Sequence, residues 1–127
     1  MSNDADRVFV FVYGTLRYGE SNSALLEGSP CLGEWRTGPA YRMFDLGGYP
    51  AVVPGGDQAI LGEVYGVDAE TLEALDALEG YPDFYGRTPI ATPWGPAWCF
   101  LLDAPEPGAR PIPGGDWVRW REVRDGQ

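Results

Sequence analysis

The sequence predicts an α+β fold built on a small, mostly antiparallel sheet or barrel with one or two helices. Two observations carry that expectation. Six or seven short apolar runs are cut apart by Gly-Pro and Gly-Gly turns, glycine and proline supplying 18 and 12 of the 127 residues. A single segment, between Asp68 and Gly80, has both the period and the end signals of a helix. With 44% hydrophobic residues beside the turn formers, the chain reads as globular and not disordered. Its 13.9 kDa fit one domain over residues 1–127, with flexible ends expected at 1–6 and 124–127.

The opening VFVFVY, Val8 to Tyr13, is a continuous β-branched and aromatic run that stops at Gly14, the pattern of a buried strand. A weak helical turn follows Ser21, through Ala24 to Leu26. Short strands are expected around Glu34–Thr37, Ala40–Leu46 and Ala51–Pro54, and a longer alternating one over Ile60–Val67. Asp68 is a good helix N-cap, Glu70 and Glu73 suit the first turns, and Gly80 with Pro82 ends the helix. Leu72, Leu75 and Leu78 form its apolar stripe. Arg87–Thr92 and Ala97–Leu102 complete the strands. The stretch Asp103–Gly115, with four prolines, suits neither a helix nor a central strand. Trp117–Val123 reads as a final strand or a short turn.

Acidic residues number 19 and basic ones 9, giving a net charge of −10 and a pI near 4.2. A phosphate backbone or an anionic membrane needs a basic footprint, so neither nucleic acid nor membrane is an expected partner. Every basic residue is an arginine. Lysine and histidine are absent, which removes Schiff-base chemistry, a Ser-His-Asp triad, a Cys-His dyad and any histidine-ligated metal. No metal and no cofactor are expected. The acidic start MSNDADR is not an export signal, so the expected compartment is the cytoplasm, with Cys31 and Cys99 reduced. The charge suits a soluble monomer or homodimer.

One residue stands out against the helix. Glu79 lies four positions beyond Leu75 and seven beyond Leu72, which places a carboxylate on the apolar face. Burial, the negative end of the helix dipole and a nearby Asp76 would each raise its proton affinity, as a general base near neutral pH requires. The plain alternative is a helix that frays early, leaving Glu79 solvated or paired with Arg87. A second feature is the junction Tyr13-Gly14-Thr15-Leu16-Arg17. A glycine after a buried strand lets the backbone turn and present consecutive amide donors to a carboxylate or an oxyanion, although such a junction is most often only a turn.

Taken together, FVYGTLRYGESN and LDALEGYPDFYGR, with GGYPAVVPG, GEVYGVD and GGDW, resemble the gamma-glutamylcyclotransferase-like superfamily, in its AIG2-like and gamma-glutamylamine cyclotransferase branch. The resemblance runs from about Val8 to Trp120; the Pro-rich stretch near Asp103 matches nothing in it. It implies a small mixed β-barrel flanked by helices, with a cavity at one side. It also implies that Tyr13, Gly14, Thr15 and Leu16 bind the glutamyl portion of a small γ-glutamyl substrate. Glu79 matches the family's acid/base, the same residue that the helical period singles out.

The reaction so implied is attack of the substrate's own α-amine on its γ-carbonyl, giving 5-oxoproline and a released amine. Alternatives are a binding module that keeps the fold without turnover, or an enzyme that removes a γ-glutamyl protecting group in one pathway. Tyr85 and Arg87 match the family's Y-x-R. Tyr85 is a candidate for the pocket wall and Arg87 for bracing a carboxylate or pairing with Asp83, beside strand-edge packing for both. Tyr49-Pro50 is a candidate cavity wall, and the five tryptophans read as core and rim. Asp76 reads as a solvated helix edge, with orienting Glu79 as the alternative, and Glu63 reads as a solvent-facing strand residue.

Overall fold

The computed structural model describes residues 7–126, so the flexibility expected of residues 1–6 and 127 lies outside the described part. The strands are β1 (Val8–Val12), β2 (Cys31–Arg36), β3 (Tyr41–Asp45), β4 (Pro50–Pro54), β5 (Leu61–Val67), β6 (Gly86–Thr92), β7 (Gly95–Leu101) and β8 (Arg110–Pro111). The helices are α1 (Ala69–Glu79) and α2 (Trp117–Asp125), and a 3₁₀ turn spans Ser23–Leu26. One sheet has the order β2-β5-β1-β7-β6 and the other β4-β3-β8. Pairing is antiparallel except between β1 and β7, where Phe9, Val10 and Phe11 lie beside Ala97, Trp98 and Cys99 in parallel.

This is the expected α+β architecture, but the ladders stop short of one closed barrel. The sheets meet where the Leu102 amide donates to the Val52 carbonyl at 3.0 Å. Prolines at both ends of β4 and in β8 remove amide donors from the edges of the smaller sheet, which limits further pairing. From Val10 to Val12, β1 is buried on both faces, which its continuous apolar run permits. Val10 and Val12 join a core with Leu75, Tyr85 and Phe100, while Phe11 and Tyr13 join one with Ile60, Ile112 and Trp117.

Helix α1 follows its sequence signals closely. The Thr71 amide donates to the Asp68 carboxylate at 2.8 Å, and Gly80 closes the helix in the left-handed region at φ 67°. Its apolar stripe is narrower than the leucines suggest: Leu75 is fully buried, but Leu78 is 42% exposed. No described helix is long and apolar enough to cross a membrane.

Several expectations are corrected. Trp117–Val123 is neither strand nor turn but most of helix α2, capped by Asp116, whose carboxylate accepts from the Arg119 amide at 3.2 Å. Positions 117, 120, 121 and 124 then share one face. Trp117 is buried there, Trp120 and Arg124 donate to Asp45, and Arg121 pairs with Glu20. The polar residues that break a period-2 pattern are thus the helix's anchors. Helix α2 runs to Asp125, into the stretch 124–127 for which flexibility is expected.

Glu63 does not face solvent. Its carboxylate is buried, accepting from Arg17 Nε at 2.9 Å, from the Tyr18 amide at 2.9 Å and from the Tyr65 hydroxyl at 3.1 Å. The Pro-rich stretch adds only the two-residue edge strand β8, with Ile112 buried beside it. Cys99 is buried, its thiol pushed up to about 12 by desolvation, whereas Cys31 is exposed; neither is in a disulfide.

Candidate functional site

A cavity of about 280 Å³ opens where β1, the end of α1 and the starts of β4 and β6 converge. Tyr13 reaches its wall from the end of β1, and Gly14, Thr15 and Leu16 follow in the adjoining loop. Leu78 and Glu79 come from the last turn of α1, Tyr49 and Pro50 from the start of β4, and Phe84 and Tyr85 from the run into β6. The structure therefore brings together Tyr13, Gly14, Thr15, Leu16, Glu79 and Tyr85, residues far apart in sequence.

The loop is a tight turn, with the Arg17 amide donating to the Gly14 carbonyl at 3.0 Å. It is braced from outside by Asn22, whose amide donates to the Thr15 carbonyl at 2.8 Å and whose side chain donates to Thr15 Oγ1 at 2.9 Å. Among the described residues no hydrogen bond takes up the amide groups of Gly14, Thr15 and Leu16. Such consecutive unused donors form a concavity for an anion.

Gly14 is glycine for a reason other than the freedom to turn. Its φ is not positive, and a Cβ built on it would stand 2.6 Å from Pro50 Cγ and 2.8 Å from Pro50 Cδ. Both neighbours belong to a rigid ring in β4, so the loop would have to move. Gly14→Ala is expected to cost about 1–3 kcal/mol of stability, seen as a lower melting temperature. Unchanged melting would show that the loop absorbs the clash.

Glu79 is half-buried, and among the described residues no hydrogen bond or ion pair takes up its carboxylate. Desolvation pushes its pKa up to about 7. The helix holds its regular form through this residue, so it is not a frayed end. Arg87 is not its partner. The Arg87 guanidinium donates to Asp76 at 2.8 and 3.1 Å and lies over the rings of Tyr81 and Trp98. Arg87 thus braces a carboxylate, that of Asp76 and not Asp83, and it is not among the residues that line the cavity.

Two phenols flank the glutamate. Burial raises both the Tyr13 and the Tyr85 pKa, and the Glu79 charge adds to each. Both therefore remain neutral donors, and both are spent on the scaffold: Tyr13 donates to the Phe100 carbonyl at 2.6 Å and Tyr85 to the Pro50 carbonyl at 2.7 Å. Among the described residues the Tyr81-Pro82 peptide bond is cis. Sequence reasoning passed over Ser21, Asn22 and Phe84 as lining residues. The Ser-Asn step before a short helical turn was the available signal for Asn22; Phe84 had none beyond being aromatic.

The family described as "Gamma-glutamyl cyclotransferase, AIG2-like" matches residues 10–119. A Vibrio cholerae protein, named provisionally as a gamma-glutamylcyclotransferase, is 48% identical over 110 residues, which are 87% of this chain and 95% of that one. The Escherichia coli gamma-glutamylcyclotransferase family protein YtfP is 39% identical over 109 residues, 86% of this chain and 95% of its own. In three dimensions the chain is similar to the Pyrococcus horikoshii protein PH0828, with a TM-score of 0.81, 29% identity, and coverage of 94% and 98%. The chain belongs to the gamma-glutamyl cyclotransferase, AIG2-like family.

Proposed function

We propose that this chain cleaves a γ-glutamyl amide or amine by intramolecular attack of the α-amine on the γ-carbonyl, releasing 5-oxoproline and an amine. The observation that carries the reading is a single unpaired carboxylate, Glu79, raised to about 7 in a cavity whose opposite loop offers unused amide donors. A base with a pKa near ambient pH is half ionised and can both take and return a proton.

The chemistry asks little more. The substrate α-nitrogen bonds to the γ-carbon and the bond from that carbon to the leaving nitrogen breaks. The α-nitrogen enters as an ammonium, loses two protons and ends as the lactam N–H. The leaving nitrogen gains two and departs as an ammonium, so no water is consumed. Glu79 carries protons from one nitrogen to the other. The amides of Gly14 to Leu16 hold the α-carboxylate or the oxyanion. The cavity supplies the ring-closing orientation, an effect that in well-aligned intramolecular reactions reaches about 7–11 kcal/mol. Tyr13 and Tyr85 form the walls. The same reading has the chain acting in the cytoplasm on a small molecule without a resident cofactor.

The test is release of 5-oxoproline from a panel of γ-glutamyl amino acids, γ-glutamyl amines and γ-glutamyl-ε-lysine. Release from any member supports the reading and ranks leaving groups. Silence from a folded protein, with a ligand-induced rise in melting temperature on the same panel, would replace it with binding without turnover.

A further inference from the structure

Two segments of the cavity wall are bonded to one helix, α2, which itself lines none of the cavity. The first segment is the donor loop from Gly14 to Asn22. It is closed on itself by the two Asn22 bonds to Thr15 and by the Glu20 amide, which donates to the Arg17 carbonyl at 2.9 Å. The second is the turn between β3 and β4, where Asp45 lies opposite Pro50 and the Leu46 amide donates to the Tyr49 carbonyl at 2.9 Å. The two segments meet where Gly14 packs on the Pro50 ring.

Arg121 grips the loop through Glu20, with two bonds of 2.8 Å to a carboxylate side chain that is 6% exposed. Three positions on, Arg124 donates to the Asp45 carboxylate at 3.0 Å and to the Gly47 carbonyl at 3.4 Å. Trp120 Nε1 donates to the same Asp45 carboxylate at 2.8 Å. Asp125 joins the two guanidinium groups, 3.6 Å from that of Arg121 and 3.0 Å from that of Arg124. On its outer side the hairpin turn borders open space: a second cavity of about 260 Å³ is lined by Leu46, Tyr49 and Phe84 and by Glu106 to Ala109 of the Pro-rich stretch. The loop turns the exposed Tyr18 to solvent. Charge-assisted, paired bonds of this kind fix geometry as well as contributing energy. Trp120, Arg121 and Arg124 all follow residue 119, where the match to the family ends.

We propose that Arg121 and Arg124 are positioning residues, through which α2 sets the gap between the donor loop and the Tyr49-Pro50 wall and so the alignment of bound substrate. The effect on rate rests on the cyclisation reading, to which this adds residues outside the cavity that hold its geometry. Neither guanidinium touches substrate. Each acts through a carboxylate on the segment it holds, and a misplacement of about 1 Å at the reacting atoms can cost about a hundredfold in rate.

The test loosens one segment at a time. Arg121→Met and Arg124→Met are each expected to lower kcat/KM for 5-oxoproline release by about tenfold or more, with the pH limb still near 7. Arg121→Lys, which keeps the charge but not the paired bonds, is expected to lose only about threefold, and it carries the test where Arg121→Met does not fold. Arg119→Met removes the same charge from the exposed face of α2 and is expected to match the parent. Amide hydrogen exchange reads the positioning without turnover. The Asn22 amide should exchange about tenfold faster in Arg121→Met and the Leu46 amide about tenfold faster in Arg124→Met, each with the other amide unchanged. Parent-like kcat/KM in both folded methionine variants, or an equal loss in Arg119→Met, would overturn the proposal and leave the cyclisation reading standing. An equal rise in exchange at both amides in each variant would reduce the two arginines to general stability and overturn it as well. A parent that releases no 5-oxoproline from any γ-glutamyl substrate would remove the cyclisation reading. The exchange rates then decide whether α2 positions the two segments, and unchanged protection at Asn22 and Leu46 overturns it.

Discussion

Glu79→Gln is expected to lower kcat for 5-oxoproline release by about 10²–10⁴-fold, the range over which a positioned acid or base contributes. The substitution keeps shape and size and removes only the ability to exchange a proton. Substrate affinity, measured as the ligand-induced rise in melting temperature, should therefore stay close to that of the parent. A variant that turns over at the parent rate would take Glu79 out of the mechanism. The parent's kcat/KM should rise with pH through a limb centred near 7, where burial places the Glu79 carboxyl.

The same group links stability to pH. Its ordinary value is 4.5 and its folded value is about 7. The folded state thus binds this proton more tightly than the unfolded chain. The resulting stabilisation is complete below pH 4.5 and is lost as pH rises through 7. Between pH 5 and 8.5 the parent should lose about 2 kcal/mol more stability than Glu79→Gln, which has no charge to bury. Chemical denaturation at the two pH values measures the difference. Parallel losses in the two proteins would show that the glutamate is solvated enough to ionise without cost.

Arg17→Met carries the largest expected effect on folding. The guanidinium is buried and bonds to Glu63 at 2.9 Å, Asp116 at 3.2 Å and Glu34 at 3.4 Å. It thereby ties the loop after β1 to β5, β2 and the start of α2. Removing it leaves the buried Glu63 carboxylate without its counter-charge, a change that typically costs about 3–5 kcal/mol. The melting temperature should fall by about 10–20 °C. The double variant Arg17→Met with Glu63→Leu should recover part of that loss, because the unpaired charge is gone even though the bonds to Tyr18 and Tyr65 are lost as well. A single variant that melts with the parent would show that water replaces the arginine at no cost.

These two residues mark different degrees of legibility. Glu79 was visible in the sequence because a helix has a rigid period: its face follows from Leu72 and Leu75 alone. Glu63 was misread because a strand's alternation says which residues share a face and not whether that face meets water. Here the loop carrying Arg17 folds over β5 and covers it. Arg87 was misassigned for a similar reason. Its partner Asp76 sits on a helix eleven positions away, and a guanidinium on a long stem can reach either Asp83 or Asp76 until packing decides. Helix α2 was missed because Arg119, Trp120 and Arg121 follow no apolar period. Its stability comes from Asp45 and Glu20, which only folding brings near.

By itself, then, the amino-acid order determined what local physics can specify: the buried first strand, a capped helix with its carboxylate on the apolar face, and a glycine-containing turn. It also determined the exclusion of histidine and lysine chemistry. Tertiary structure alone decided that Glu79 and the loop amides share one cavity, and that Gly14 is required by the ring of Pro50. It alone placed the Pro-rich stretch against Tyr49 and Phe84. Each of these depends on contacts between segments distant in sequence, where small differences in strand stagger and side-chain packing choose among partners that composition and spacing leave equivalent.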